Sequence, residues 1–134
     1  STALAVSSRQ KLGEIIFNNQ QERLWTDNLI HPYVGDRLSV AIKETSVETL
    51  VSVVPLLFEA GMTDLVTEIW VVSCSEQQQL ERLMQRNQLT LEQAQARISS
   101  QMSLKEKIQK ADIVLDNSSN VEELLQQVDI AIFR

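Results

Sequence analysis

The sequence holds one cysteine, one histidine, two prolines and three glycines in 134 residues, and aromatic side chains make up only 4% of it. Each scarcity removes a class of protein. A lone Cys74 cannot form an internal disulfide framework, and it suits a reducing, cytoplasmic setting. A lone His31 excludes a two-histidine motif and any histidine-built metal cluster. The glycines, Gly13, Gly35 and Gly61, are followed by Glu14, Asp36 and Met62, so neither G-x-x-x-x-G-K-[ST] nor G-x-G-x-x-G can be assembled. No apolar run approaches the roughly 20 residues that a membrane-spanning helix needs. The opening "STALAVSS" lacks the charged and apolar regions of a secretion signal. Basic residues are also short, 12 Lys+Arg against 18 Asp+Glu for a net −6, which argues against a nucleic-acid-binding surface. An anionic small molecule stays compatible with that charge, because a few local donors suffice to hold one.

What is present is globular. A hydrophobic fraction of 43% and a charged fraction of 22% are ordinary, and the length fits one domain with a core of its own. Residues 1–8 read as a loop. From Arg9 to about Glu44 the apolar spacing is helical: Leu12, Ile15 and Ile16, then Leu24, Trp25 and Leu29, then Val34, Leu38, Ala41 and Ile42. Pro32 is expected in a first helical turn, where its missing N–H is harmless. Three short β-branched runs, "LVSVV" (50–54), "EIWVVSC" (68–74) and "ADIVLDN" (111–117), read as buried strands of a parallel sheet. Ser75 with Gln78, Thr90 with Gln93 and Ser103 with Glu106 mark three helix starts. Asn120 and Glu123 open a last amphipathic helix through Leu124, Leu125, Val128, Ala131 and Ile132. Short strands alternating with helices give the α/β class, with a helical first third appended and few strands for a parallel sheet.

In such sheets ligands gather at the carboxyl ends of the strands, which selects the loops Pro55–Met62, Cys74–Glu76 and Asp116–Asn120. Every candidate, in those loops or at His31, has a plainer role. Pro55 stops a strand, Glu59 caps a helix or faces water, Cys74 fills a small core position, and His31 fixes a helix entry. Asp116-Asn117-Ser118-Ser119 is turn chemistry before it is anything else. Base rates favour these structural roles. The arginines are more open. Arg82 and Arg86, four apart, share a helix face, and Arg97 follows on the next helix. They fit a flap gripping phosphate oxygens, and equally a solvated surface paired with Glu81 and Glu92.

Four segments occur together: "IHP" (30–32), "VVPLLFEAGM" (53–62), "QLERLMQRNQLTLEQAQARISSQM" (79–102) and "ADIVLDNSS" (111–119). In content, order and spacing they resemble the dephospho-CoA kinases, P-loop enzymes that phosphorylate the ribose 3′-hydroxyl of dephospho-CoA in the last step of coenzyme A biosynthesis. The likeness covers nearly all of Arg9–Arg134. It implies an incomplete three-layer α/β/α, P-loop kinase-like fold in a single partial domain. Residues 9–48 would form a helical part receiving dephospho-CoA, 49–75 and 111–134 the sheet core, and 76–110 the lid helices. His31, Pro55, Leu56, Leu57 and Glu59 would contact that substrate, Arg82 and Arg86 the phosphates of ATP, and Asn117 the adenine. ATP and magnesium are the family's cofactors, and a cytoplasmic location goes with them.

The departure from the family is as informative. Its first strand, its Walker loop and the aspartate proposed as general base find no match, so no catalytic residue or metal ligand is named. Gly35 also stands where relatives often carry a basic residue. Phosphoryl transfer depends on positioning and electrostatic stabilisation, so this chain is expected to show no kinase turnover alone. The alternative is a non-catalytic module that binds dephospho-CoA or another protein. Without a neighbour, the 50–54 strand would present an apolar edge suited to self-association.

Overall fold

A computed structural model describes residues 2–134, with side chains from Gln10 onward. The chain is mostly helical, with one small parallel sheet, and divides after Leu65 into two compact units. The first begins with α1 (Thr2–Asn18) and α2 (Gln20–Glu44), which pack together. The break between them is a single residue. The Asn19 side chain accepts from the N–H groups of Gln21 and Glu22, supplying two otherwise unpaired donors at the start of α2. Helix α1 starts at Thr2, ahead of the expected loop, because Ala3, Leu4 and Ala5 are strong helix formers.

Pro32 lies inside α2 and not in its first turn. The helix continues across it, and the proline ring offers no N–H to the Asn28 carbonyl one turn earlier. Thr26 is buried on α2 with its hydroxyl donating to the Glu22 carbonyl at 2.8 Å, and Leu38 is buried about three turns further on. After α2 the chain runs without regular structure, through a bend at Val47–Glu48, to Pro55 and then makes one tight helical turn. Ala60 N–H donates to Leu56 C=O at 2.9 Å and Met62 N–H to Leu57 C=O at 3.0 Å. Gly61, at φ +67°, takes the left-handed position that ends such a turn. Met62 is thereby buried, and a short 3₁₀ turn (Thr63–Leu65) packs against α2.

The run 50–54 is not a strand. It joins no ladder among the described residues, and Val51 and Val53 are 82% and 91% exposed. β-Branching gives a local preference for extended backbone, but a strand exists only with a hydrogen-bonded neighbour, and none lies alongside. The apolar strand edge expected at this place is therefore absent too.

The second unit holds the sheet. β1 (Trp70–Ser73) pairs in parallel with β2 (Ile113–Asp116), Trp70 opposite Ile113 and Ser73 opposite Asp116. The Asp112 carboxylate fixes the entry by accepting from Ile69 N–H at 2.8 Å, while Asp112 N–H donates to Ile69 C=O at 2.9 Å. Between the strands run α3 (Glu76–Asn87), α4 (Leu91–Ser99) and α5 (Leu104–Lys110), and α6 (Val121–Ile132) follows β2. Reciprocal capping boxes start α3 at Ser75/Gln78 and α4 at Thr90/Gln93; Ser103 caps α5 and Asn120 caps α6. Helix α5 packs on β1, α6 on β2 and α3 on α4, burying Val71, Ala94, Leu115 and Ala131. Glu68 bonds both the Trp70 indole N–H and the Arg134 guanidinium, tying the strand entry to the chain end.

Candidate functional site

Each unit carries one candidate site. In the first, α2 and the turn 55–62 enclose a hollow of about 530 Å³. Its wall takes Asp27, Asn28, His31, Pro32, Asp36 and Ser39 from α2, and Glu59, Ala60, Met62 and Leu65 from the turn and the segment after it. The spacing explains the α2 wall: Asn28, Pro32, Asp36 and Asp27, His31 are fourfold repeats along one helix face. His31 is 19% exposed, with Nε2 buried and 3.6 Å from Asp27 Oδ1, ion-pair distance when the ring carries its proton. Nε2 makes no hydrogen bond among the described residues.

The structure thus brings His31 and Glu59 to one wall. Pro55, Leu56 and Leu57 do not line the hollow. Leu56 and Leu57 are half-buried, and their carbonyls build the turn that delivers Glu59. Gly35 does line it, and a side chain added there would meet nothing within 4 Å. Asp27, Asn28, Asp36 and Ser39 escaped sequence reasoning; the Asp27–His31 spacing of four was the available signal.

In the second unit the carboxyl ends of β1 and β2 form a rim, and here every backbone group of residues 116–118 has a named partner. Asp116 N–H donates to Gln127 Oε1 at 2.7 Å, and Gln127 Nε2 donates back to Asp116 C=O at 2.9 Å. Asn117 N–H donates to Ser73 C=O at 2.7 Å, extending the β ladder by one bond. Ser118 N–H donates to Asp116 Oδ1 at 2.9 Å, closing an Asx turn. The Ser118 hydroxyl and backbone N–H together hold the Asp116 carboxyl below its ordinary range, against a small opposing effect of burial. Arg82 Nη1 donates to Asn117 C=O at 2.7 Å, and Gln78 Nε2 to Ser118 C=O at 2.8 Å. Gln78 also accepts from Ser75 N–H at 3.1 Å, so a single amide joins the loop after β1 to the loop after β2.

The structure therefore brings Arg82 and Asn117 together, by guanidinium to carbonyl. Arg86 instead bonds its helix neighbour, Nε to Asn87 Oδ1 at 2.9 Å, and is exposed. Gln78 was legible as a helix cap, but its second bond, and the whole role of Gln127, depend on topology. Among the described residues no group of three or more His, Cys, Asp or Glu side chains is placed to hold a metal ion. Nor is any described helix long and apolar enough to cross a membrane.

The chain is similar to known proteins over most of its length. The profile of the CoaE family, dephospho-CoA kinase, matches residues 5–123. The dephospho-CoA kinases of Trichormus variabilis and Nostoc sp. are 68% and 66% identical over 125 residues, taking in 93% of this chain and 64% of each relative. Among solved structures, TT1252 from Thermus thermophilus superposes with a TM-score of 0.73 at 25% identity, over 93% of this chain and 65% of that one. The dephospho-CoA kinase from Campylobacter jejuni gives 0.52 at 32% identity, over 93% and 63%. The chain spans just under two thirds of the length of the curated relatives it matches.

Proposed function

The chain belongs to the dephospho-CoA kinase family, and we propose that it serves the reaction in which the γ-phosphoryl group of ATP passes to the 3′-hydroxyl of the dephospho-CoA ribose. Residues 9–48 act on the dephospho-CoA side, with His31 and Glu59 as contacts in the hollow and Pro55, Leu56 and Leu57 shaping its approach. Of the stretches 49–75 and 111–134, the residues from 66 onward and all of 111–134 act as the sheet part, and 76–110 act as the lid. Asn117 meets the adenine, while Arg82 and Arg86 serve the phosphates. The observation that carries the nucleotide half is the 2.7 Å bond from Arg82 to the Asn117 carbonyl, which sets a lid-helix arginine beside the strand-end loop. Support for the substrate half is the hollow that gathers His31 and Glu59. The setting we assign is cytoplasmic.

Magnesium would arrive with the ATP phosphates, since the described residues offer no acidic cage for it. The same sequence contains no phosphate-cradling glycine loop. Backbone amides of that loop fix the β- and γ-phosphates, so we expect this chain alone to bind without turning over. Titration calorimetry with dephospho-CoA and with ATP separately, beside an assay for CoA formation, tests both halves. Binding of each ligand with no CoA formed is the expected result. Dephospho-CoA binding without ATP binding would favour a non-catalytic module. CoA formation by the pure 134-residue chain would overturn the assignment of inactivity.

A further inference from the structure

We infer, on the reading of the hollow beside α2 as the substrate side, that this hollow receives the pantetheine arm of dephospho-CoA and excludes its diphosphate. The arm is the uncharged end of the substrate and carries two amides. The Asn28 carbonyl and the Asp36 carboxylate accept from their N–H groups.

The lining has the wrong charge for phosphate. Neither lysine nor arginine takes part in it, and the carboxylates of Asp27, Asp36 and Glu59 stand beside a single histidine. Three acids against His31 leave a formal charge of −3 with the ring neutral and −2 with it protonated. A protonated ring already has Asp27 Oδ1 at 3.6 Å, so its charge is spent on that neighbour. Phosphate oxygens brought here would meet repulsion without the guanidinium or ammonium donors that usually hold them.

What the wall offers instead is acceptors. Helix α2 runs unbroken through Pro32, whose nitrogen carries no hydrogen, so the Asn28 carbonyl lacks the N–H that closes a helical turn. Asn28 and Pro32 both line the hollow, which puts the missing bond on its wall. Asp36, four residues further along, adds a carboxylate to the same row. A helix interior seldom leaves a carbonyl without its partner, and one beside a carboxylate suits a ligand that brings N–H donors. Each amide of the pantetheine arm brings one N–H and one C=O. The Ser39 hydroxyl and the Asn28 side-chain amide are donors available to the C=O groups. Ala60 and Met62 give the lining an apolar part, against which the two geminal methyls of the arm can lie. The volume of about 530 Å³ is within the roughly 300–1,000 Å³ of small-molecule sites.

The test uses the intact chain with dephospho-CoA. Titration calorimetry gives the dissociation constant, and intermolecular nuclear Overhauser effects show which part of the ligand lies against the Ala60 and Met62 methyl groups. Contacts from the geminal methyls of the pantetheine arm are expected. Contacts from adenine or ribose protons in their place would overturn the inference and leave the substrate reading standing. No binding, or binding without contact at Ala60 and Met62 from any part of the ligand, removes the substrate reading and the inference with it. Two variants then test the acceptors. Asp36→Asn keeps the shape and removes the charge, and it is expected to weaken dephospho-CoA about tenfold, the worth of one net hydrogen bond. With the diphosphate in the hollow, the same change would tighten binding. Pro32→Ala returns an N–H to the Asn28 carbonyl. It is expected to raise the thermal midpoint and yet weaken dephospho-CoA about tenfold, a pairing that loss of structure cannot produce. Unchanged or tighter binding in both variants overturns the inference.

Discussion

Replacing Val51 and Val53 together by threonine tests the least expected part of the fold. Threonine keeps the β-branched shape and the preference for extended backbone, so burial is what the substitution probes. At 82% and 91% exposure, the two side chains are covered between them by little more than a quarter of one valine's surface. Full burial of a valine is worth about 1.5–3 kcal/mol, so the pair has about 0.4–0.8 kcal/mol to lose. Equilibrium urea unfolding followed by far-ultraviolet circular dichroism reads this directly, with Leu115→Ala as the control. Leu115 is buried on β2, and its truncation should remove about 2–5 kcal/mol. The two positions lie in different units, so the control also shows whether those units unfold as one transition. A loss near 3 kcal/mol or more from the double threonine variant, the worth of two covered valines, would refute the reasoning. It would mean that residues 50–54 are packed against neighbours after all.

Two further outcomes follow from local geometry. Gly61→Ala places a Cβ at φ +67° with nothing within 4 Å of it, so the penalty is backbone strain alone. It should reach about 1–2 kcal/mol by thermal unfolding, and Gly61→Asn should lose less, because asparagine tolerates that conformation. Asp116 supplies the pH dependence. Its folded carboxyl titrates below the ordinary value of 3.8, so its stabilisation is complete above that value and fades as pH falls through the depressed one. Ser118→Ala, which deletes the hydroxyl, should raise the Asp116 value in an NMR titration. No change would show that the hydroxyl is not its main partner.

Legibility in the sequence tracked the range of the interaction. The starts of α3 and α4 were readable because Ser75/Gln78 and Thr90/Gln93 satisfy one another within a single turn. β1 and β2 were readable as short β-branched strands, but not as partly uncovered, with Val72 and Val114 exposed, nor as paired with each other alone. The run 50–54 has the same composition, and it misled because a ladder is a property of two segments. Pro32 misled for another reason: a long, packed helix absorbs a proline whose local preference is for a first turn. At the sites, the spacing of Asp27 and His31 is local, whereas the bonds of Gln127 to Asp116 and Gln78 to Ser118 cross from one element to another. No pattern in the chain announces those. Arginine spacing identified Arg82 as notable, but only the fold pairs it with Asn117.

The parallel pairing of β1 with β2 also shapes how the second unit comes together in time. Two parallel strands need a crossover, and here it occupies residues 74–112, all of α3, α4 and α5. Closing a loop of that length costs about 3 kcal/mol of chain entropy before any constant term. A four-residue ladder, at about 0.5–1.5 kcal/mol net for each bond, is of the same order as that closure. The sheet is therefore expected to form after the capped helices, held by α5 on one strand and α6 on the other. Hydrogen exchange should then show its amide protons opening together with those helices, and the rim at Asp116–Ser118 lost in the same event.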